Sequence, residues 1–253
     1  MRTLAIMNQK GGVGKTTTAI NLSHALANRG HKVTVIDIDP QSHLSMGMGG
    51  HHIAITGIDD VLFETSSIDD VAIEVSDNIN LVPAGPRLAE VENNMTGGAK
   101  RGWILKQAIT VSKRCSSSDF IIIDCPPSAS LLGMNALFAV DELLIPVSSD
   151  FLALHGVSRM VNILDYIDEN LHKKSKRWFV VTRYQSRRRL SQEVKEKLME
   201  YFKDEVLATP VRESVALAES PSYGQSIFDY QPRGNGAEDY SRLAEDLLNE
   251  RVM

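Results

Sequence analysis

This 253-residue sequence is most informative first through what it has little of. It holds two cysteines, Cys115 and Cys125, too few for a disulfide framework or a cysteine-rich metal cluster, which points to a reducing compartment. Its longest apolar runs, "FIII" at 120–123 and "LLIPV" at 143–147, fall far short of the roughly 20 residues that a membrane-spanning helix needs. Residues 1–8 run straight into a glycine-rich loop, leaving no stretch for a signal peptide. Internal repeats and low-complexity segments are absent. A net charge of -5 argues against a wholly basic nucleic-acid coat, though not against a local basic patch. What is present, 43% hydrophobic and 23% charged residues, is ordinary for a globular chain. The length allows one domain, 1–253, with a substantial core.

A residue is also missing from a familiar place. The stretch "QKGGVGKTT", from Gln9 to Thr17, approaches the phosphate-binding pattern G-x-x-x-x-G-K-[ST]. That pattern asks for glycine where Gln9 stands, and this chain adds a second lysine, Lys10. Gly11, Gly12 and Gly14 permit unusual dihedrals and leave backbone N–H groups open around an anion. The helix that follows adds the positive end of its dipole. In this pattern Lys15 bridges the β- and γ-phosphates and the Thr16 hydroxyl ligates Mg²⁺. One lysine suffices for the terminal phosphates, so Lys10 needs another reason.

Short apolar segments alternate with helical patterns. Strands are expected at "TLAIMN" (3–8), "KVTVIDID" (32–39), "NINLVP" (78–83), "DFIIID" (119–124), "ELLIPV" (142–147), "WFVVTRY" (178–184) and "LATPV" (207–211). Helices are expected near 15–28, 100–114, 156–170, 190–202 and 237–250. This alternation implies an α/β fold: a doubly wound, mostly parallel twisted sheet with helices on both faces, like that of P-loop NTPases. Ligands in such sheets sit at the carboxyl ends of the strands. The segment 41–60, rich in Gly, His, Met and Ser, reads as a mobile loop.

Three carboxylates stand at strand ends. Asp124 closes "DFIIID", where a magnesium site needs an acid. Asp37 and Asp39 close "VIDIDPQ", two apart and therefore on one face of the strand, before Pro40 breaks it. One of the two would orient or deprotonate the attacking water while the other supports the metal shell.

Together "KGGVGKTT", "DIDPQ", "IIIDCPPS" and "ALAESPSYGQSIFDYQPRGNGAEDY" resemble the ParA branch of the ParA/MinD ATPases, which carry a deviant Walker A loop, over nearly the whole chain. The small, Soj-like kind is the nearest in form. The resemblance implies an ATP- and Mg²⁺-dependent switch that closes face to face into a homodimer, with Lys10 reaching the nucleotide of the other subunit. It makes Lys10, Lys15 and Asp39 the catalytic residues, with Asp39 positioning water. It assigns the phosphates to Gln9, Lys10, Gly11, Gly12, Val13, Gly14, Lys15, Thr16 and Thr17, and the metal to Thr16 and Asp124, with Asp37 in support. The family holds adenine around a Pro-Arg-Asn; here "TPVRES" at 209–214 is out of step by two, leaving Pro210 and Arg212 as the base contacts.

From Lys173 to Arg189 there are eight Lys or Arg residues and no acid. Arginines before the helix at 190–202 would grip phosphates without reading bases. The resemblance adds non-specific double-stranded DNA as the ligand, with Arg183, Arg187, Arg188 and Arg189 as contacts, although Ala216 stands where relatives often carry a further arginine. It also implies a ParB-like or cargo-adaptor protein that stimulates slow hydrolysis, and a cytoplasmic, nucleoid-associated protein with no membrane contact. Three alternatives share the loop. A MinD-like membrane positioner would need a basic amphipathic C-terminal helix; an iron–sulfur electron donor would present cysteines at a dimer face; a metabolic enzyme would turn over with a substrate.

Overall fold

The computed structural model describes residues 1–49, 56–93, 98–128, 130–150 and 173–253, with single positions 157, 161, 162, 164, 165 and 169 between them. Among the described residues, seven strands form one sheet in the order β3-β4-β2-β5-β1-β6-β7. They are β1 (Arg2–Ile6), β2 (Val33–Asp37), β3 (Ile73–Ser76), β4 (Ile79–Val82), β5 (Phe120–Asp124), β6 (Glu142–Ser148) and β7 (Lys176–Thr182). All neighbours run parallel except β3, which pairs antiparallel with β4 at the edge.

Side-chain alternation along the central strands builds two cores. Ile121 and Ile123 of β5 join Ala5, Ile36 and Ile38 on one face, whereas Phe120 and Ile122 join Leu4, Ile6, Val33 and Val35 on the other. This is why the central runs are continuously apolar: both faces are covered. The first face carries the helices Ile104–Val111 and Leu131–Ala139. The second carries Lys15–Ala27 and the last helix, Asn235–Asn249, whose Ala237, Tyr240, Leu243, Ala244 and Leu247 are buried.

The fold matches the expected class, with local corrections. β3 was not anticipated. The helix Leu131–Ala139 was not anticipated either, since "LLGMNALFA" is apolar all round and gives no amphipathic period. The expected helix at 100–114 is broken. A 3₁₀ segment, Gly98–Trp103, leads into Ile104–Val111, and Ser112 then turns extended and caps Lys113–Ser116 by accepting from the Cys115 N–H at 3.1 Å. Residues 207–211 form no named strand. Val206, Leu207 and Arg212 make isolated bridges, because Pro210 has no N–H and the amides of Ala208 and Thr209 turn away to Arg251 O and Asp246 Oδ2. The 41–60 segment is in part ordered, with helices His43–Gly47 and Ile58–Leu62; its positions 50–55 lie outside the described residues. Most of the expected helix at 156–170 also lies outside them.

At the amino end of the sheet, Glu142 ties three strands together. Arg2 donates to both carboxylate oxygens at 2.6 Å, and the Trp178 indole donates to Oε2 at 2.7 Å. Burial pushes the Glu142 carboxyl up, but the bonds from Arg2 and Trp178 outweigh it and hold it below the usual range. Glu142→Ala would leave the guanidinium without its counter-ion, holding only Leu247 O, and the indole N–H without its acceptor. It is expected to cost about 3 kcal/mol, seen as a lower urea midpoint at unchanged slope.

Candidate nucleotide site

The carboxyl ends of the parallel strands deliver their loops to one edge of the sheet, and the expected residues meet there. Gly12 and Gly14 take φ of 73° and 89°, the left-handed region in which a side chain costs about 1–2 kcal/mol. A Cβ added at Gly11, Gly12 or Gly14 would meet nothing within 4 Å, so the loop borders open space. Gly14 is the N-cap of Lys15–Ala27 and supplies no side-chain cap, which leaves the first helical N–H groups to an anion. From β7, Thr182 Oγ1 donates to Val13 O at 2.8 Å and fixes the loop from below.

Lys15 is buried, with Nζ donating to Lys10 O at 3.3 Å. Burial lowers its proton affinity, while Asp124, Asp39 and Cys125 raise it. The parallel register sets Asp124 beside both Ile6 and Asp37. Thr16 Oγ1 donates to Asp124 Oδ2 at 2.7 Å, while Asp124 Oδ1 is buried with no partner. Burial first, and Asp37 second, push the Asp124 carboxyl well above the usual carboxylate range. A buried, half-satisfied carboxylate beside a hydroxyl is a site short of a cation, so the residues fit Mg²⁺. Among the described residues no three His, Cys, Asp or Glu side chains group as a self-sufficient metal site; Mg²⁺ habitually takes one or two protein oxygens and completes its shell with phosphates and water.

Asp37 and Asp39 part company. Asp37 is fully buried, accepts from the Asp39 N–H at 3.1 Å through Oδ1, and from the Ser45 N–H and hydroxyl at 2.8 and 2.6 Å through Oδ2. Oδ2 thus anchors the helix His43–Gly47, while Oδ1 holds the turn at Asp39. Burial raises its pKa to about 6. Asp39 lies just past the end of β2, with Oδ1 accepting from the Gln41 N–H at 2.9 Å.

Lys10 folds back onto its own chain, its ammonium paired with Asp150 at the end of β6, and Asp150 Oδ2 also accepts from Ser148 Oγ at 2.7 Å. The sequence carried a signal for Asp150, a carboxylate two residues past a strand, as Asp39 is past β2. Its partner lies 140 positions away.

A cavity of about 330 Å³ opens from Gly12, Gly14 and Thr17 toward residues 211–218. Arg212 lines it, but its guanidinium is committed to Asp239, at 2.6–3.0 Å, and to Glu238 at 2.7 Å. Pro210 is not among the lining residues. Of the two residues expected to contact the base, Arg212 thus lines the cavity with its guanidinium turned onto the last helix, and Pro210 stands outside the lining, while Glu213 and Ser214 line it beside Arg212.

The basic stretch is not one patch. Lys176 and Arg177 start β7 and are paired, with Glu250 and with Asp165 and Glu205, while Lys173 donates to Phe138 O. Arg183, Arg187, Arg188 and Arg189 follow the other end of β7, ~20 Å away at strand rise. Of these, Arg183 lines the cavity and pairs with Glu213 at 3.1 Å. Arg187, Arg188 and Arg189 are exposed, Arg189 pairing with Glu193 at 2.8 Å. Cys115 and Cys125 are both buried, so neither is presented on a surface.

A family model described as an AAA domain matches residues 1–176. The sporulation initiation inhibitor protein Soj of Bacillus subtilis (strain 168) is 37% identical over 247 residues, 96% of this chain and 97% of that protein. The chromosome partitioning protein ParA of Caulobacter vibrioides (strain NA1000 / CB15N) is 34% identical over 252 residues, 98% of this chain and 94% of that one. Among solved structures, cobyrinic acid a,c-diamide synthase from Mycobacterium smegmatis, with bound ATP analog and magnesium, superposes with a TM-score of 0.84 at 28% identity, covering 98% of this chain and 95% of that one. With a glycine loop, a doubled lysine and strand-end carboxylates at one sheet edge, and with relatives matched along nearly their whole length, the chain belongs to the ParA/Soj family of partition ATPases.

Proposed function

We propose that the protein is a switch that hydrolyses ATP, dimerises when ATP is bound, holds non-specific DNA in that state, and positions a cargo whose adaptor stimulates hydrolysis. The observation that carries the reading is the orphaned Asp124 Oδ1 beside Thr16, beneath a loop of open glycine N–H groups. Thr16 and Asp124 would hold Mg²⁺, which supplies charge neutralisation between the β- and γ-phosphates. Lys15 adds a fixed positive charge at the γ-phosphate, and Asp39 orients the attacking water. Lys10 leaves Asp150 to reach the nucleotide of the second subunit.

For DNA, Arg187, Arg188 and Arg189 form the exposed contact, on the turn into the helix Arg189–Tyr201 and at its first residue. A membrane reading has less support. Among the described residues no helix is long and apolar enough to cross a membrane, and the last helix spends its apolar face in the core. A metabolic enzyme like the diamide synthase would show turnover that depends on an organic substrate and ignores DNA.

The test is binding to random-sequence duplex DNA with ATP, with ADP and without nucleotide, across a salt series. ATP-dependent binding that collapses with salt is expected. Changing Arg187, Arg188 and Arg189 together to alanine should weaken it at least tenfold without altering ATP binding. No DNA binding in any state would overturn the DNA-bound switch.

A further inference from the structure

Asp39 owes its place to the buried carboxylate two residues before it. Asp37 Oδ1 accepts from the Asp39 N–H at 3.1 Å, which fixes the backbone just past β2. Asp39 O then accepts from the Ser42 N–H at 2.8 Å, and Asp39 Oδ1 from the Gln41 N–H at 2.9 Å. Ser42 takes a φ of 55°, a conformation uncommon for a residue with a side chain. The turn therefore depends on the bonds around it to keep its shape.

Ser45 closes the ring from the other side. Its N–H and its hydroxyl both donate to Asp37 Oδ2, and its Oγ accepts from the Ala84 N–H at 3.2 Å, just past β4. A hydroxyl has one proton to give, and Ser45, buried, gives it to Asp37. The helix that carries Ser45 is itself firmly seated. A Cβ added at Gly47 would stand 2.7 Å from Ile20 Cδ1 and 3.1 Å from Pro221 Cβ, and Ile20 belongs to the helix that follows the phosphate loop. The end of β4 and the phosphate-loop helix thus set where Asp37 points, and Asp37 sets the Asp39 backbone.

We propose that Ser45 is a positioning residue for ATP hydrolysis: acting through Asp37, its hydroxyl fixes the Asp39 backbone so that the Asp39 carboxylate stays aimed at the attacking water. The hydroxyl is spent on Asp37 and Ala84, so it acts on the reaction only through them. This deepens the ATPase reading and rests on Asp39 as the residue that orients water. A misplacement of about 1 Å in a positioned group can cost about a hundredfold in rate. Ser45→Ala keeps the backbone N–H bond to Asp37 and loses only the hydroxyl, so the helix retains an anchor and the loss is expected to be partial.

The experiment is a double-mutant cycle on the full chain: wild type, Ser45→Ala, Asp39→Ala and the double variant. Each is read by phosphate release in a single turnover, with protein in excess over ATP, and by calorimetric ATP binding, both in magnesium buffer. Ser45→Ala is expected to lower the rate about tenfold to hundredfold while the ATP dissociation constant stays within about twofold of wild type. In the Asp39→Ala background the same change should alter the rate by less than about twofold, because the group it positions is gone. A merely structural role would slow both backgrounds by one factor, or weaken ATP binding along with the rate, and either result overturns the proposal. A folded Ser45→Ala protein that turns over at the wild-type rate overturns it too. If Ser45→Ala does not fold, Ser45→Cys, close in size and only a weak donor, takes its place in the cycle and is read in the same way. Asp39→Ala turning over like the wild type overturns the water-orienting role of Asp39 itself, and the positioning role with it.

Discussion

Lys15→Ala is expected to lower ATP turnover by about 100- to 1,000-fold. The ammonium is buried, 3.3 Å from the Lys10 carbonyl, and sits within the field of Asp124 and Asp39. In such a place a charge is worth more than it would be in water: about 4 kcal/mol against a unit charge at 4 Å when the effective dielectric is 20, and about 1 kcal/mol in bulk. The larger figure corresponds to the upper end of the rate loss, at about 1.4 kcal/mol per tenfold, and matches what removal of one preorganised donor costs in other enzymes. The fold should survive, because Lys15 contributes a single hydrogen bond to the folded chain and its removal also relieves a buried charge. Steady-state phosphate release alongside far-UV circular dichroism checks both halves. Turnover within a few-fold of wild type in a folded variant would remove Lys15 from the mechanism.

The second large effect concerns association. Lys10→Ala is expected to abolish the ATP-dependent dimer, while the monomer remains folded and still binds nucleotide. Two apposed triphosphates, each carrying about four negative charges, repel unless cations stand between them. In the single chain the Lys10 ammonium is occupied by Asp150, and reaching a second nucleotide means leaving that partner. Asp150→Asn should therefore act in the opposite direction. A half-exposed ion pair is worth up to about 1 kcal/mol, so the neutral variant should dimerise up to about fivefold more readily with ATP. Light scattering on a sizing column reads both. A Lys10→Ala protein that still dimerises with ATP would end the bridging role, and equal behaviour of the two variants would end the competition between Asp150 and the partner nucleotide.

What could be read from the sequence was what depends on near neighbours. The phosphate loop is contiguous, and Asp124 closes a run buried on both faces, so both stood out. β3 did not, because Ile73–Ser76 alternates apolar and polar residues over only four positions, at an exposed sheet edge, too short a run to stand out. Asp37 and Asp39 looked equivalent by spacing, and the difference between them is set by Ser45, eight residues on. Arg212 looked available because its partners, Glu238 and Asp239, lie a helix away. The eight basic residues looked like one surface because strand length does not show in a charge count; a seven-residue strand separates the paired lysines from the exposed arginines.

One small contact has a thermodynamic consequence. Thr182 holds the phosphate loop at Val13, the Ser149 N–H donates to Thr182 O at 3.0 Å, and Ser191 Oγ, in the helix that carries the arginine turn, donates to Ser149 Oγ at 3.0 Å. Loop and turn are thus joined through two serines. Coupling through such a joint is reciprocal: whatever factor ATP lends to the grip on DNA, DNA must return to the grip on ATP. If the protein holds DNA as proposed, a chain on DNA would then bind its nucleotide more tightly than one free in solution.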